Sequence, residues 1–319
     1  VWRQDWPGLR ARAPTSSGTT SNAHLIDATG NIGAYGSAKV AVGVIAADVE
    51  IANTASIKLN YDATASAGAP YGGGDIAFLP TTTGDIRIGN FSSAAPHFTL
   101  DNAELKRIIL PANGATNCGT GQEGCRLWIG GAGIPNDPIA GALPNTIRNI
   151  KLDQADFTFN GTTVVPKRVH LVTATGDIND LGNGAGYYGA KAGHLSLYGG
   201  SGIGGYVPES GTDGVEFIAN SVVLKSPSSG IRATSVGGGD LALRSVNGAG
   251  DINLKVLSGG VTLIPYFSGQ SETTPSNFNL TVDGDIRFAA YGGSYTIAGP
   301  LNTFTESAPG SATIRAGGT

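Results

Sequence analysis

Methionine is absent from the 319 residues, histidine occurs four times and cysteine twice, and Asp, Glu, Lys and Arg together make up only 14%. An ordinary soluble domain carries about 25% charged residues. Disorder is excluded, because it goes with high net charge and low hydrophobicity, whereas this chain is 40% apolar with a formal net charge of −4. No stripe of Lys and Arg runs along the sequence, which argues against a nucleic-acid partner. No run of about 18 apolar residues is present, so no helical membrane span is expected, and residues 1–20 lack the apolar core of a secretory signal. With Val1-Trp2-Arg3 at its start and no Met, the chain reads as a processed product or an excised segment. His24, His97, His170 and His194 stand alone, without an i,i+4 partner or a nucleophile elbow, and read as surface or turn residues. No cofactor and no metal are expected.

Glycine is abundant instead, at 50 residues. Six steps join Gly to Asp and then to Ile or Leu, their aspartates being Asp75, Asp85, Asp177, Asp240, Asp251 and Asp285. Most open a run of period two, such as Asp85-Ile86-Arg87-Ile88 or Asp251-Ile252-Asn253-Leu254, which places the apolar residues on one face of a strand. Each step reads as a turn feeding a short, half-buried strand. Such a unit cannot bury its apolar face alone, so many of them stack along one axis. The fold class expected is all-β: a parallel β-helix, or β-solenoid, with a long loop insertion and an irregular N-terminal extension.

Residues 1–20, with Trp2 and Trp6, show no period and form the extension, a candidate assembly tail. The solenoid body runs over 21–319. It is interrupted at 111–147, a Gly/Pro/Asn-rich stretch with one short strand at Arg126–Ile129 and the aromatic Trp128. Cys118 and Cys125 close a short glycine-rich loop there, and a disulfide between them would suit an oxidising, extracytoplasmic compartment. Helix is expected only as a turn at Asn102–Arg107. Pairing strand centres gives coils of roughly 20 residues, and some fourteen coils at about 4.8 Å each would make a rod of roughly 70 Å.

The repeated aspartates have two readings. A carboxylate ladder would bind calcium, whereas an Asp after Gly simply bonds its own backbone at a turn; the turn reading is preferred. Lys167-Arg168-Val169-His170 is the densest basic group. With Asp177 and Asp180 it would suit a polysaccharide lyase, or it would guard a strand edge against pairing. Tyr187, Tyr188, Tyr198 and Tyr206 supply aromatic faces for sugars or for another subunit, or stack inside the solenoid.

The run from Gly230 to Leu243, with Gly250-Asp251-Ile252-Asn253-Leu254 and Gly259-Gly260-Val261-Thr262-Leu263 after it, resembles the repeats of filamentous-haemagglutinin-like exoproteins. These are two-partner-secretion adhesins with Gly-Gly-Asp-hydrophobic-x-hydrophobic repeats around a parallel β-helix. The family's Asn-Pro-Asn-Gly secretion signature is not found in this chain. The resemblance implies a non-enzymatic secreted or cell-surface protein: a shaft or subunit of an extracellular filament acting in adhesion, biofilm or self-assembly. Its partners would be further copies of itself, or a host or bacterial surface glycan or protein. The alternatives are a β-helix polysaccharide lyase and a glycan-binding module without catalysis.

Overall fold

The computed structural model describes residues 9–12, 24–27, 40–51, 53, 56–58, 75–110, 126–131, 148–204, 214–271, 278–288, 296–298 and 303–306, apart from 47, 52, 81, 83, 165 and 183–185. The chain is a parallel β-helix. Most strands belong to one large sheet that coils on itself, and the pairings along its body are parallel.

The first face of the coil is built from Val40–Ala46, Asp75–Pro80, Leu127–Gly131, Arg168–Thr173, Ala190–Gly199, Val215–Ser226, Leu241–Gly248 and Val261–Ser271. The second carries Ile86–Gly89, Ile150–Asp153, Asp177–Asp180, Gly202–Ile203, Ile231–Ser235, Ile252–Val256 and Phe278–Val282. Period two does the folding. Alternate residues point inward, and parallel register puts like on like, so each inward column is a stack of Ile, Leu, Val and Phe. In one column Phe78, Ile129, Leu171, Leu197, Leu224 and Val246 follow one another. In another, Ile86, Ile150, Ile178, Ile203, Ile231 and Ile252 do so. All twelve are essentially sealed from solvent. At roughly 25 cal/mol per Å² of apolar surface, this core is the main source of stability.

Among the described residues the first face shows nine rungs, because the first column extends in register to Val44 at one end and to Gly269 and Ile297 at the other. Nine rungs span roughly 40 Å, and the coils between them are longer than the roughly 20 residues expected. Two features lengthen the coils. From Leu171 to Leu197 to Leu224 to Val246 a turn takes 26, 27 and then 22 residues, since a third, short side such as Ala190–Ala192 against Phe217–Ala219 is included. Excursions such as the hairpin of Phe159–Asn160 and Thr163–Val164 also use chain without adding a rung.

The aspartates fall where the pattern put them. Asp85, Asp240, Asp251 and Asp285 each immediately precede a strand, and Asp75 and Asp177 each begin one. Asp240, however, reaches the next coil rather than its own backbone: Oδ1 accepts the Gly260 N–H at 2.9 Å. Its Oδ2 and that of Asp285 hold Arg287 at 2.6 and 3.1 Å, and Asp85 pairs with Lys151 at 3.0 Å. Glycine is required where rungs nearly touch. A Cβ at Gly130, whose φ is +111°, would stand 1.8 Å from the Val172 carbonyl oxygen.

The helix Asn102–Arg107 forms as expected, and a capping box explains why so short a helix exists: Asp101 accepts the Glu104 N–H at 2.7 Å while Glu104 accepts that of Asp101 at 3.0 Å. Glu104 also accepts the Ile51 N–H at 2.9 Å. Burial pushes its carboxyl up to about 7. The strand inside the long insertion proves to be a full rung, Leu127–Gly131, paired on both sides with Asp75–Pro80 and Arg168–Thr173. Within residues 1–20, Leu9–Arg12 forms a strand antiparallel to Asp48–Ile51. Trp2, Trp6, Cys118, Cys125 and Tyr206 lie outside the described residues, as does most of 111–147. Among the described residues no helix is long and apolar enough to cross a membrane.

Candidate functional site on the outer face

The outward columns of the first face change character along the stack. In one, Arg168, His194, Ser221, Ala242, Thr262 and Arg287 follow in register. In its neighbour, Ala77, Trp128, His170, Ser196, Val223 and Ser245 do. Parallel stacking therefore gathers two of the four histidines, a tryptophan and several arginines onto adjacent rungs, although they are scattered over more than a hundred residues of chain.

Trp128 and His170 stack with ring centroids 4.2 Å apart and 22° between planes. The His194 ring lies 5.8 Å from that of His170, and the Arg126 guanidinium carbon lies 4.9 Å from the centre of Trp128. Nδ1 of His194 and Oγ of Ser221 share a hydrogen bond of 2.7 Å. The charged groups that act on these imidazoles are cations. Burial first, then Arg126 and Arg168, hold His170 well below its ordinary range. Burial, Arg244, Arg168 and Arg126 bring His194 down to about 4. At neutral pH both rings are uncharged, and the positive charge belongs to the guanidiniums.

Arg244 sits at the register shift between Leu243 and Ser245. Its Nε and Nη1 are sealed from solvent and, among the described residues, find no hydrogen-bond acceptor. Arg87 and Arg148 leave only Nε in that condition.

The lyase arrangement is not assembled. Lys167 points inward and donates from Nζ to the carbonyls of Leu105, at 2.9 Å, and Phe159; burial lowers it to about 8. Arg168 and His170 belong to the first face, whereas Asp177 and Asp180 lie on the second, against Ile150–Asp153. Arg168–Thr173 is flanked by strands on both sides, so guarding a sheet edge is not its role either. Asp180 takes the inward place beside Leu152. Its Oδ2 accepts the Glu216 N–H at 2.7 Å, and burial, with the charges of Glu216 and Asp153, pushes it up to about 7.

Among the described residues the candidate tyrosines do not share one face. Tyr187 turns back to donate its hydroxyl to the Leu152 carbonyl at 3.3 Å. Tyr188 is half-buried at the same corner, while Tyr198 is on the outer face with Lys225 5.6 Å from its ring centre. Reading the sequence missed Arg244 and took His170 and His194 as lone histidines, because partners 42 residues apart in sequence, such as Trp128 and His170, become neighbours only once coil lengths are known. Among the described residues no group of three or more His, Cys, Asp or Glu is placed to hold a metal ion. No protein-family model matches the chain, and neither the curated proteins nor the solved structures yield a match.

Proposed function

We propose that this chain is a non-enzymatic, secreted or cell-surface β-solenoid of the filamentous-haemagglutinin-like kind, a shaft or subunit of an extracellular filament acting in adhesion or self-assembly. The observation that carries this reading is the continuous stacking of the inward column from Phe78 to Val246, kept through the register shift at Arg244. In such a stack each rung contacts only its neighbours, so further copies can continue it end to end. The non-enzymatic reading is supported by the commitment of Lys167 to two carbonyls and by the separation of Arg168 and His170 from Asp177 and Asp180.

Negative-stain electron microscopy of the purified full chain tests the proposal, together with an assay for unsaturated uronides released from pectin or alginate. Fibres, or rods joined end to end, with no uronide released are expected. Isolated particles that release uronides would overturn it in favour of the lyase.

A further inference from the structure

Three observations converge on the outer face around Ser221. The first is a run of rungs whose outward residues are Arg126, Trp128, Arg168, His170 and His194, drawn together by register. The second is Arg244, which carries two buried N–H groups with no acceptor among the described residues. The third is electrostatic: the charges felt by His170 and His194 are all positive. Buried donors left unmatched are costly, the more so for charged groups, and native structures rarely keep them without a ligand, water or ion to accept them. A guanidinium offers a planar fork of donors that matches the two oxygens of a carboxylate or sulfate.

We infer that this face binds an acidic polysaccharide, with Arg244 as the primary donor to a carboxylate or sulfate group, Ser221 and the neutral imidazole of His194 as hydrogen-bond partners beside it, and Arg126 and Arg168 attracting further anionic groups along the polymer. A linear chain of sugars suits the layout, because the cations are spread over successive rungs along the rod and not gathered at one point. Single-stranded nucleic acid suits it less. Its binding depends on aromatic faces open to stacking bases, and here Trp128 is stacked by His170 with the Arg126 guanidinium at its ring. The inference rests on the adhesive reading for its biological use but not for its chemistry. A protein that binds the polymer yet forms no fibres would separate the two.

The test is equilibrium binding of the full chain to immobilised dextran sulfate, to polygalacturonate, to neutral dextran and to single-stranded DNA. Binding is expected to one or both acidic polysaccharides, weakening as salt rises, with none to neutral dextran; the arm that binds tells sulfate from carboxylate. Arg244→Gln should weaken it about tenfold, the usual effect of losing a charge-assisted hydrogen bond. Arg244→Lys should restore only part of it. Arg287→Gln, an exposed arginine of the same column already held by Asp240 and Asp285, should leave binding unchanged. Ser221→Ala, which removes one hydroxyl, provides a second variant should Arg244→Gln not fold, with a loss of about threefold expected from one neutral hydrogen bond. Wild-type protein that binds neither acidic polymer, variants at 244 and 221 that bind as wild type does, or tighter binding to DNA than to either glycan would each overturn the inference.

Discussion

Between Leu127 and Gly199 the first face turns Trp128, Arg168, His170 and His194 outward; further along, the same columns turn Ala242, Ser245 and Thr262 outward, and Arg244 acts on His194 from the register shift between them. Beneath both stretches the inward residues are interchangeable: Leu127, Val169 and Leu195 under the first, Leu243 and Leu263 under the second, all buried. In a stacked fold the interior of each rung is constrained by the rungs above and below, while its exterior answers only to solvent and partners. We read the difference between the two stretches as a record of use, and their likeness as a record of folding.

The largest effects should ignore the comparison altogether. Leu197→Ala, under the basic-aromatic stretch, and Leu263→Ala, under the small-polar one, should each lose about 2–5 kcal/mol in urea unfolding, since both remove a fully buried side chain from a column that cannot collapse around the gap. A large inequality between them would mean that the cores are not equivalent.

The exterior should separate the two. Trp128→Ala removes a ring stacked at 4.2 Å and should cost about 1 kcal/mol beyond its buried area, whereas Thr262→Ala should stay within about 0.5 kcal/mol of wild type. Thermal unfolding of the pair is sufficient to see this.

A smaller signature is expected in the pH dependence. His194 titrates near 4 when folded against 6.5 ordinarily, so between those values the unfolded chain holds more protons and stability rises with pH. Asp180 works in the opposite direction: at about 7 folded against 3.8 ordinarily, it keeps a proton that the unfolded chain has lost, and stability falls as pH rises from about 4 to 7. Glu104, also pushed up to about 7, pulls the same way as Asp180, so an Asp180→Asn background shows the His194 rise as one part of the slope between pH 4 and 6.5. Adding His194→Gln should reduce it, and adding Thr262→Val should not.

The parallel β-helix was legible because its cause is local. Period two in runs such as Ile86–Ile88 and Ile252–Leu254, each preceded by Gly-Asp, is visible within six residues, and so were the helix Asn102–Arg107 and the strand around Trp128. The length of each coil was not legible, since the third side of the coil is short and unpatterned. For the same reason the outer cluster stayed hidden. Arg168, His194 and Ser221 share a column only because the coil takes 26 and then 27 residues there, a length fixed by how the turns close and not by any motif. Arg244 reaches the cluster from a register shift, which the sequence around Leu243-Arg244-Ser245 does not announce.

The claim that use resides in the basic-aromatic stretch while the core runs unchanged beneath both is tested most directly by hydroxyl-radical footprinting of the intact chain, with and without the acidic polysaccharide that binds it. Lower oxidation of Trp128, His170 and His194 on adding the polymer, with Tyr187 and Tyr188 unchanged, is the predicted result. Unaltered oxidation at those three residues, or protection confined to the tyrosine corner, would contradict it.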